Sequence, residues 1–290
     1  MRILITGAGG NIGRGLVERL AADGRHRLVL SDIVQPRWLT EDLEVVDFFQ
    51  PLDVQVGFGL ESAARGCDLI VHLPAWHGVH SRSRTEADFW RLNVDGTFWM
   101  LQAARSEGVG RVVFMSSQSW HHHYDKYGFT KRVGEELMAY HHAEHGVAYV
   151  SIRPHDLTPW QDDWPQRYGA RLLYGGVDRD DVLDAVLCSI DHLDSHPEAE
   201  LVLDATRPNV FSDDQLQHWA EDPVARLDAI FPGAADAVAR YGLDITKEPQ
   251  LVPEGGRRET GYEPSRHFGT FLEELRAMTP EQARAVPSHY

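Results

Sequence analysis

The sequence predicts an α/β protein built on a doubly wound, mostly parallel sheet, with a smaller part toward the C-terminus. Three observations carry this. Short apolar runs alternate with helical patterns over the first half of the chain, and most of those runs are apolar at nearly every position, as strands covered on both faces are. The first run leads through closely spaced glycines straight into a helix.

Taken in order, the strands fall at RILIT (2–6), HRLVLSD (26–32), LEVVDFF (43–49), DLIVHL (68–73), RVVFMSS (111–117) and AYVSIRP (148–154). Helical spacing between them occupies NIGRGLVERLAADG (11–24), DGTFWMLQAARSEG (95–108) and YGFTKRVGEELMAYHHAEHG (127–146), with glycine as the stop signal. After Pro154 the texture changes to loops rich in Trp, Asp, Pro and Arg. A helix follows around 180–193, then a strand ELVLDAT at 200–206 and helical material to the end.

With 290 residues and 42% apolar content, the chain can bury a sizeable core. No apolar run approaches the roughly 18 residues of a membrane span, and the chain enters its first strand without a charged leader, so a cytoplasmic protein is expected. Cys67 and Cys188 lie in apolar stretches, which predicts buried free thiols in a reducing compartment. A net charge of -16 opposes binding to nucleic acid and to anionic membranes. A small molecule is the expected partner.

The glycine turn GAGGNIG places Gly7, Gly10 and Gly13 three apart, with Asn11 and Ile12 opening the helix. Such a turn lets the backbone approach a pyrophosphate, whose charge then meets the helix N-terminus. Asp32 ends the second strand, 19 residues past Gly13. A carboxylate there accepts hydrogen bonds from ribose hydroxyls and repels a 2′-phosphate, which favours NAD; nearby Arg37 keeps NADP as the alternative.

Seven motifs then appear in order, and together they resemble the extended short-chain dehydrogenase/reductase family of NAD-dependent epimerases, dehydratases and dehydrogenases. They are GAGGNIG, PLDV, DLIVHLPAW, LNVDGTFWMLQAAR, VVFMSS, YGFTK, and SIRP with GVDRDDVLDAV; ETGYEPSRHFGTFLEEL near the end is similar to the family's C-terminal signature. The likeness covers nearly the whole chain. It implies a Rossmann domain over 1–154, with 178–206 returning to it, and a substrate-binding part over 155–177 and 207–290. It also implies cofactor contacts from Asp53, Val54, Leu73, Pro74, Ala75, Asn93 and Pro154, and a homodimer paired through the helices at 95–107 and 127–145.

The chemistry explains why a tyrosine and a lysine belong four apart on one helix face. Taking a hydride from a carbinol carbon requires removal of the hydroxyl proton, and a free phenol with a pKa near 10 is protonated at neutral pH. An ammonium one turn away stabilises the phenolate. Tyr127 is the expected base and Lys131 its electrostatic partner, which by resemblance also holds the nicotinamide ribose. Ser117, which resembles the family's Ser/Thr after the fifth strand, would by that likeness hydrogen-bond the reacting oxygen, with Ser116 and Ser119 as rivals.

The departures are also informative. Gln118 and Ser119 stand where the dehydratases and decarboxylases of this family place carboxylates, which leaves simple oxidation or reduction, or epimerisation through a ketone. In compactness the chain is similar to the uronate dehydrogenases. Trp76, His77, Gln118, Trp120, His155 and Arg171, with Ser117, are the expected substrate contacts; Trp160, His121, Arg82, Arg84 and Arg167 are further aromatic and cationic side chains near strand ends. Histidine pairs His121 with His123, on a strand face, and His141 with His145, on a helix face, complete no zinc spacing, so no metal is expected. The alternatives are an epimerase using bound NAD and a non-catalytic NAD-binding regulator; retention of Tyr127, Lys131 and Ser117 argues against the regulator.

Overall fold

The computed structural model describes residues 1–39, 43–121, 125–158 and 163–287, without the side chains of Trp120, His121 and Thr158. Elements follow in the order β1 (Arg2–Thr6), α1 (Asn11–Asp23), β2 (Arg27–Asp32), β3 (Val46–Pro51), α2 (Leu60–Ala64), β4 (Leu69–His72), α3 (Glu86–Phe89), α4 (Gly96–Glu107), β5 (Arg111–Met115), α5 (Lys126–His145) and β6 (Ala148–Pro154). Then come β7 (Asp156–Thr158), β8 (Gly176–Asp178), α6 (Arg179–Ser195), β9 (Glu200–Ala205), α7 (Asp213–Leu216), α8 (Pro223–Ile230), α9 (Ala234–Tyr241), α10 (Arg257–Thr260), α11 (Phe268–Arg276) and α12 (Pro280–Arg284).

Seven strands form one sheet in the order β3-β2-β1-β4-β5-β6-β9. Pairing is parallel from β3 through β6. This is the doubly wound α/β sheet that the alternating pattern predicts, and its order reverses beside β1, between β1 and β4. Ligands bind at the C-terminal strand ends near such a reversal. Strands β1, β2, β4 and β5 are buried along almost their whole length, as their uniformly apolar sequences require.

Three sequence readings shift. The third strand runs over Val46–Pro51 rather than 43–49, and as an edge strand it has only half-buried and exposed positions, none of them fully buried. The helix expected from 95 is preceded by a π-helical stretch, Trp90–Asp95, continuous with α3 and α4. Neither cysteine is in a disulfide; Cys67 is buried, but Cys188 is only half-buried.

The chain divides into two compact units: 1–153 with 185–203 and 258–261, and 154–184 with 204–257 and 262–290. In the first, the core between sheet and helices includes Leu4, Val29, Ile70, Met100, Val112, Phe114 and Met138. In the second, Trp164, Tyr168, Phe211, Trp219, Phe268 and Phe271 form a separate aromatic-rich core. Packing there is close enough that a Cβ on Gly169 would lie 2.0 Å from the Phe271 ring.

Candidate active site

The glycine turn after β1 is shaped by contacts that leave no room for side chains. Gly7 has φ 73° and a Cβ there would sit 3.1 Å from Pro74 N, so glycine serves both the turn and the close approach of the segment after β4. A Cβ on Gly13 would lie 2.3 Å from Gly7 O, so α1 seats directly on the turn. Gly10 precedes α1 and donates its N–H to Gly7 O at 3.1 Å. No acidic side chain occupies the first turn of α1, and Asn11 and Ile12 open it half-buried, so the helix N-terminus keeps its positive end. This donor set fits a pyrophosphate. Asp32 reaches the turn as well, accepting from Gly9 N at 2.9 Å through one oxygen and from Ile33 N at 2.7 Å through the other.

The strand ends supply the walls. Leu73, Pro74 and Ala75 follow β4 half-buried, with Leu73 N donating to Thr6 O at 3.3 Å. Asp53 caps a short 3-10 turn by accepting from Gln55 N at 2.9 Å, and Val54 is buried against Gly96, where a Cβ would meet it at 2.9 Å. Asn93 sits in the π-helical turn, 1% exposed. Its oxygen accepts from Trp76 N at 2.8 Å, and its nitrogen donates to Trp76 O and to Thr130 Oγ1, both at 2.9 Å. The amide therefore braces the post-β4 segment against α5. An irregular turn of this type often marks a functional position.

Asp125 starts α5 by accepting from Gly128 N at 2.6 Å, which sets Tyr127 and Lys131 on the first two turns. The half-buried Tyr127 ring lies 6.5 Å from the rings of both His77 and Phe89. Lys131 is 2% exposed; its Nζ donates to Met115 O at 2.7 Å and lies 5.2 Å from the Phe114 ring centroid. Burial lowers the Lys131 pKa to about 7, against the opposing pull of Glu135. The rival serines separate by their partners. Ser116 donates to Glu135, which also takes two bonds from Arg153, at 2.8 and 2.6 Å. Ser117 is 4% exposed and exchanges bonds with Ser119, its Oγ donating to Ser119 Oγ at 3.0 Å and accepting from Ser119 N at 3.1 Å. Gln118 beside them is buried.

Trp76 and His77 are joined by His80, which the sequence reading did not single out, and by Arg84, which it named only as a cationic side chain near a strand end. His80 lies 4.9 Å from the Trp76 ring and 4.3 Å from the His77 ring, and the Arg84 guanidinium covers Trp76 at 4.1 Å. The signal was local: all four residues fall within one short post-strand stretch. Desolvation first, then His80 and Lys131, lower the His77 pKa to about 4, so its ring is neutral at physiological pH.

In the second unit, the His155 ring packs on Gly175, where a Cβ would come within 2.5 Å, and Arg171 pairs with Asp156 at 2.6 Å. Pro154 is the last residue of β6. His121 belongs to a 3-10 turn, Gln118–His121, rather than a strand. Its side chain, that of Trp120, and all of His123 and Trp160 lie outside the described residues. The His141 and His145 rings are 5.2 Å apart, and among the described residues no three His, Cys, Asp or Glu side chains gather as a metal site.

A glycine turn under a helix N-terminus, at the reversal point of a doubly wound parallel sheet, defines a dinucleotide-binding protein of the Rossmann class. The chain belongs to the NAD dependent epimerase/dehydratase family, whose description matches residues 3–158, and NAD is accordingly the cofactor for which the turn is built. An uncharacterized protein of Mycobacterium tuberculosis is 32% identical over 153 residues, 53% of this chain and 14% of that one. The uronate dehydrogenase of Pseudomonas syringae pv. tomato is 31% identical over 167 residues, 52% of this chain and 58% of that enzyme. The chain therefore spans less than two thirds of either relative. Among solved structures, a glucuronic acid dehydrogenase from Chromohalobacter salexigens aligns with a TM-score of 0.64 at 19% identity, over 96% of this chain and 89% of that one, a likeness of fold.

Proposed function

We propose that the protein is an NAD-dependent oxidoreductase that moves a hydride between nicotinamide and a hydroxyl-bearing carbon of a sugar, uronate or related small hydroxy compound. The observation that carries this reading is the buried Lys131 ammonium, held to Met115 O one helical turn from Tyr127. Bound NAD supplies the hydride acceptor. Tyr127 takes the hydroxyl proton, Lys131 stabilises the phenolate and holds the nicotinamide ribose, and Ser117 donates to the reacting oxygen as charge develops on it. Gly7, Gly10, Asn11, Ile12 and Gly13 hold the pyrophosphate and Asp32 the adenosine ribose. Asp53, Val54, Leu73, Pro74, Ala75, Asn93 and Pro154 complete the cofactor's surroundings.

Trp76, His77, Gln118, Trp120, His155 and Arg171 serve the substrate. The Arg171–Asp156 pair would have to open before Arg171 could take a substrate carboxylate. Gln118 and Ser119 offer no carboxylate beside Ser117, and Glu135 is committed to Arg153 and Ser116, so elimination lacks its extra acid or base. The relative named as a uronate dehydrogenase supports a free sugar acid as substrate. Exposed aromatics on α4 and α5, Phe98, Trp99, Phe129 and Tyr140, support pairing of two copies through these helices. No helix among the described residues is long and apolar enough to cross a membrane, and a cytoplasmic location completes the proposal.

The test is a screen of free sugars, uronates and sugar nucleotides with NAD, followed by absorbance of the reduced cofactor. Net reduced cofactor supports the dehydrogenase. Isomerised substrate without it would establish the epimerase, and no turnover at all would leave the regulator.

A further inference from the structure

We propose that Glu135, clamped by Arg153 and Ser116, is a positioning residue that keeps the Lys131 side chain charged and fixes the strand end that receives it. It rests on the reading of Tyr127 and Lys131 as the reacting pair, and adds a residue which that reading does not include.

The geometry is a small closed network. Glu135 follows Lys131 by one helical turn on α5. Its carboxylate takes a fork of two bonds from Arg153 on β6, at 2.8 and 2.6 Å, and a third bond from the Ser116 hydroxyl at the end of β5. The side chains of Glu135 and Arg153 are only 12% and 16% exposed. Ser116 directly follows Met115, whose carbonyl accepts from Lys131 Nζ. Ser116 N in turn donates to Ile152 O of β6 at 2.7 Å. One carboxylate thus joins α5, β5 and β6 around the lysine's acceptor.

Electrostatics gives this network a second task. A fully buried ammonium is destabilised by the loss of water, and burial alone drives Lys131 toward its neutral form. Among the described residues, the groups facing it from other elements do not restore the charge. His72 on β4 is buried, with Nδ1 2.8 Å from the Thr6 hydroxyl, and is neutral, its pKa lowered to about 3. His77, in the segment after β4, is neutral as well. Phe114 and Met115 of β5 offer a ring and a carbonyl. Tyr127, on α5 itself, is the group to be served. Glu135 is the carboxylate whose charge opposes the desolvation, and Arg153, bonded to it, holds it in place.

The test reads the lysine directly and needs no substrate. The chain has three lysines, so in protein carrying 13C at lysine Cε the signal that disappears in Lys131→Met belongs to one amine, and its pH titration follows that group alone. Glu135→Gln should lower the Lys131 midpoint by on the order of one pH unit, because the carboxylate that opposes the desolvation is gone. The alkaline limb of the kcat/KM profile should move to lower pH. Arg153→Met leaves the carboxylate's charge near Lys131 and should not lower the midpoint. Glu135→Gln/Arg153→Met removes both charges, leaves no buried ion unpaired, and should keep the lowered midpoint. An unmoved midpoint in Glu135→Gln, with a native circular dichroism spectrum, would overturn the proposal; so would downward shifts of equal size in Glu135→Gln and Arg153→Met, the mark of mere packing damage. Failure of the catalytic reading would show separately, as undiminished turnover by Tyr127→Phe.

Discussion

Gly134 lies against the Phe114 ring, so close that a Cβ on it would stand 2.5 Å from Cζ. This contact sets how deeply α5 settles on β5. The same ring stacks on His72 at 6.3 Å and lies 5.2 Å from Lys131 Nζ, so a shift of Phe114 reaches the reacting lysine.

Gly134→Ala should therefore destabilise the protein by about 1–3 kcal/mol, the usual cost of overpacking, although alanine favours the helix. Denaturant unfolding measures the loss. Turnover should fall in the protein that remains folded, with NAD affinity weakened in the same variant; unchanged stability would show that the ring moves freely.

Tyr127→Phe removes one hydroxyl and keeps the ring beside His77 and Phe89. Turnover should drop by a factor on the order of 10² to 10⁴, the range for a positioned proton-transfer group. NAD affinity by calorimetry should hardly change.

Lys131 should cost the ligand-free protein stability. Its folded pKa, about 7, is depressed from 10.5, so the unfolded chain binds more protons between those values and stability rises with pH across that window. Lys131→Met should accordingly melt at a higher temperature than wild type below pH 7, with the advantage shrinking as pH approaches 10.5. Each pKa unit corresponds to about 1.4 kcal/mol, so the gain is on the order of a few kcal/mol at most. NAD binding should weaken in the same variant. A lower melting temperature at pH 6 would count against the buried charge.

Asp32 should make the protein prefer NAD over NADP by at least about tenfold in Kd, a difference of about 1.4 kcal/mol. Asp32→Ser should narrow the gap by removing the charge that repels a 2′-phosphate. Because Asp32 also accepts from Gly9 N, the variant should lose some NAD affinity too. Calorimetric titration with both cofactors decides it.

Pairing through α4 and α5 predicts a dimer by light scattering at micromolar concentration. Trp99→Glu, at a position 41% exposed, should yield monomers with an unchanged circular dichroism spectrum. A wild-type protein that is already monomeric would overturn the pairing.

Much of this was legible in the sequence because it is written locally. The turn from Gly7 to Gly13, the apolar strands and the Tyr127–Lys131 spacing each need only a few neighbouring residues to be recognised. The third strand was misplaced because an edge strand lacks the uniform apolar run that marks its buried neighbours, and Val46–Pro51 carries exposed positions. The π-helical turn at Trp90–Asp95 carries no mark in the helical spacing, and the bond from Trp76 to Asn93 within it joins segments 17 residues apart. Glu135 stood in plain view four residues after Lys131. Its meaning required Ser116 and Arg153, which come near it only when β5 and β6 pair.

The strand order also sets a timetable for synthesis. β6 is flanked by β5 and by β9, and β9 is made of residues 200–205, so the ribosome finishes β6 well before its second neighbour exists. During that interval a strand whose first five residues end up buried offers an open row of backbone donors and acceptors. Nascent chains on one messenger are then close enough to pair through that row with each other. Slow translation between residues 155 and 199 should therefore lower the soluble yield, and a holdase that covers the exposed edge during this stretch should restore it.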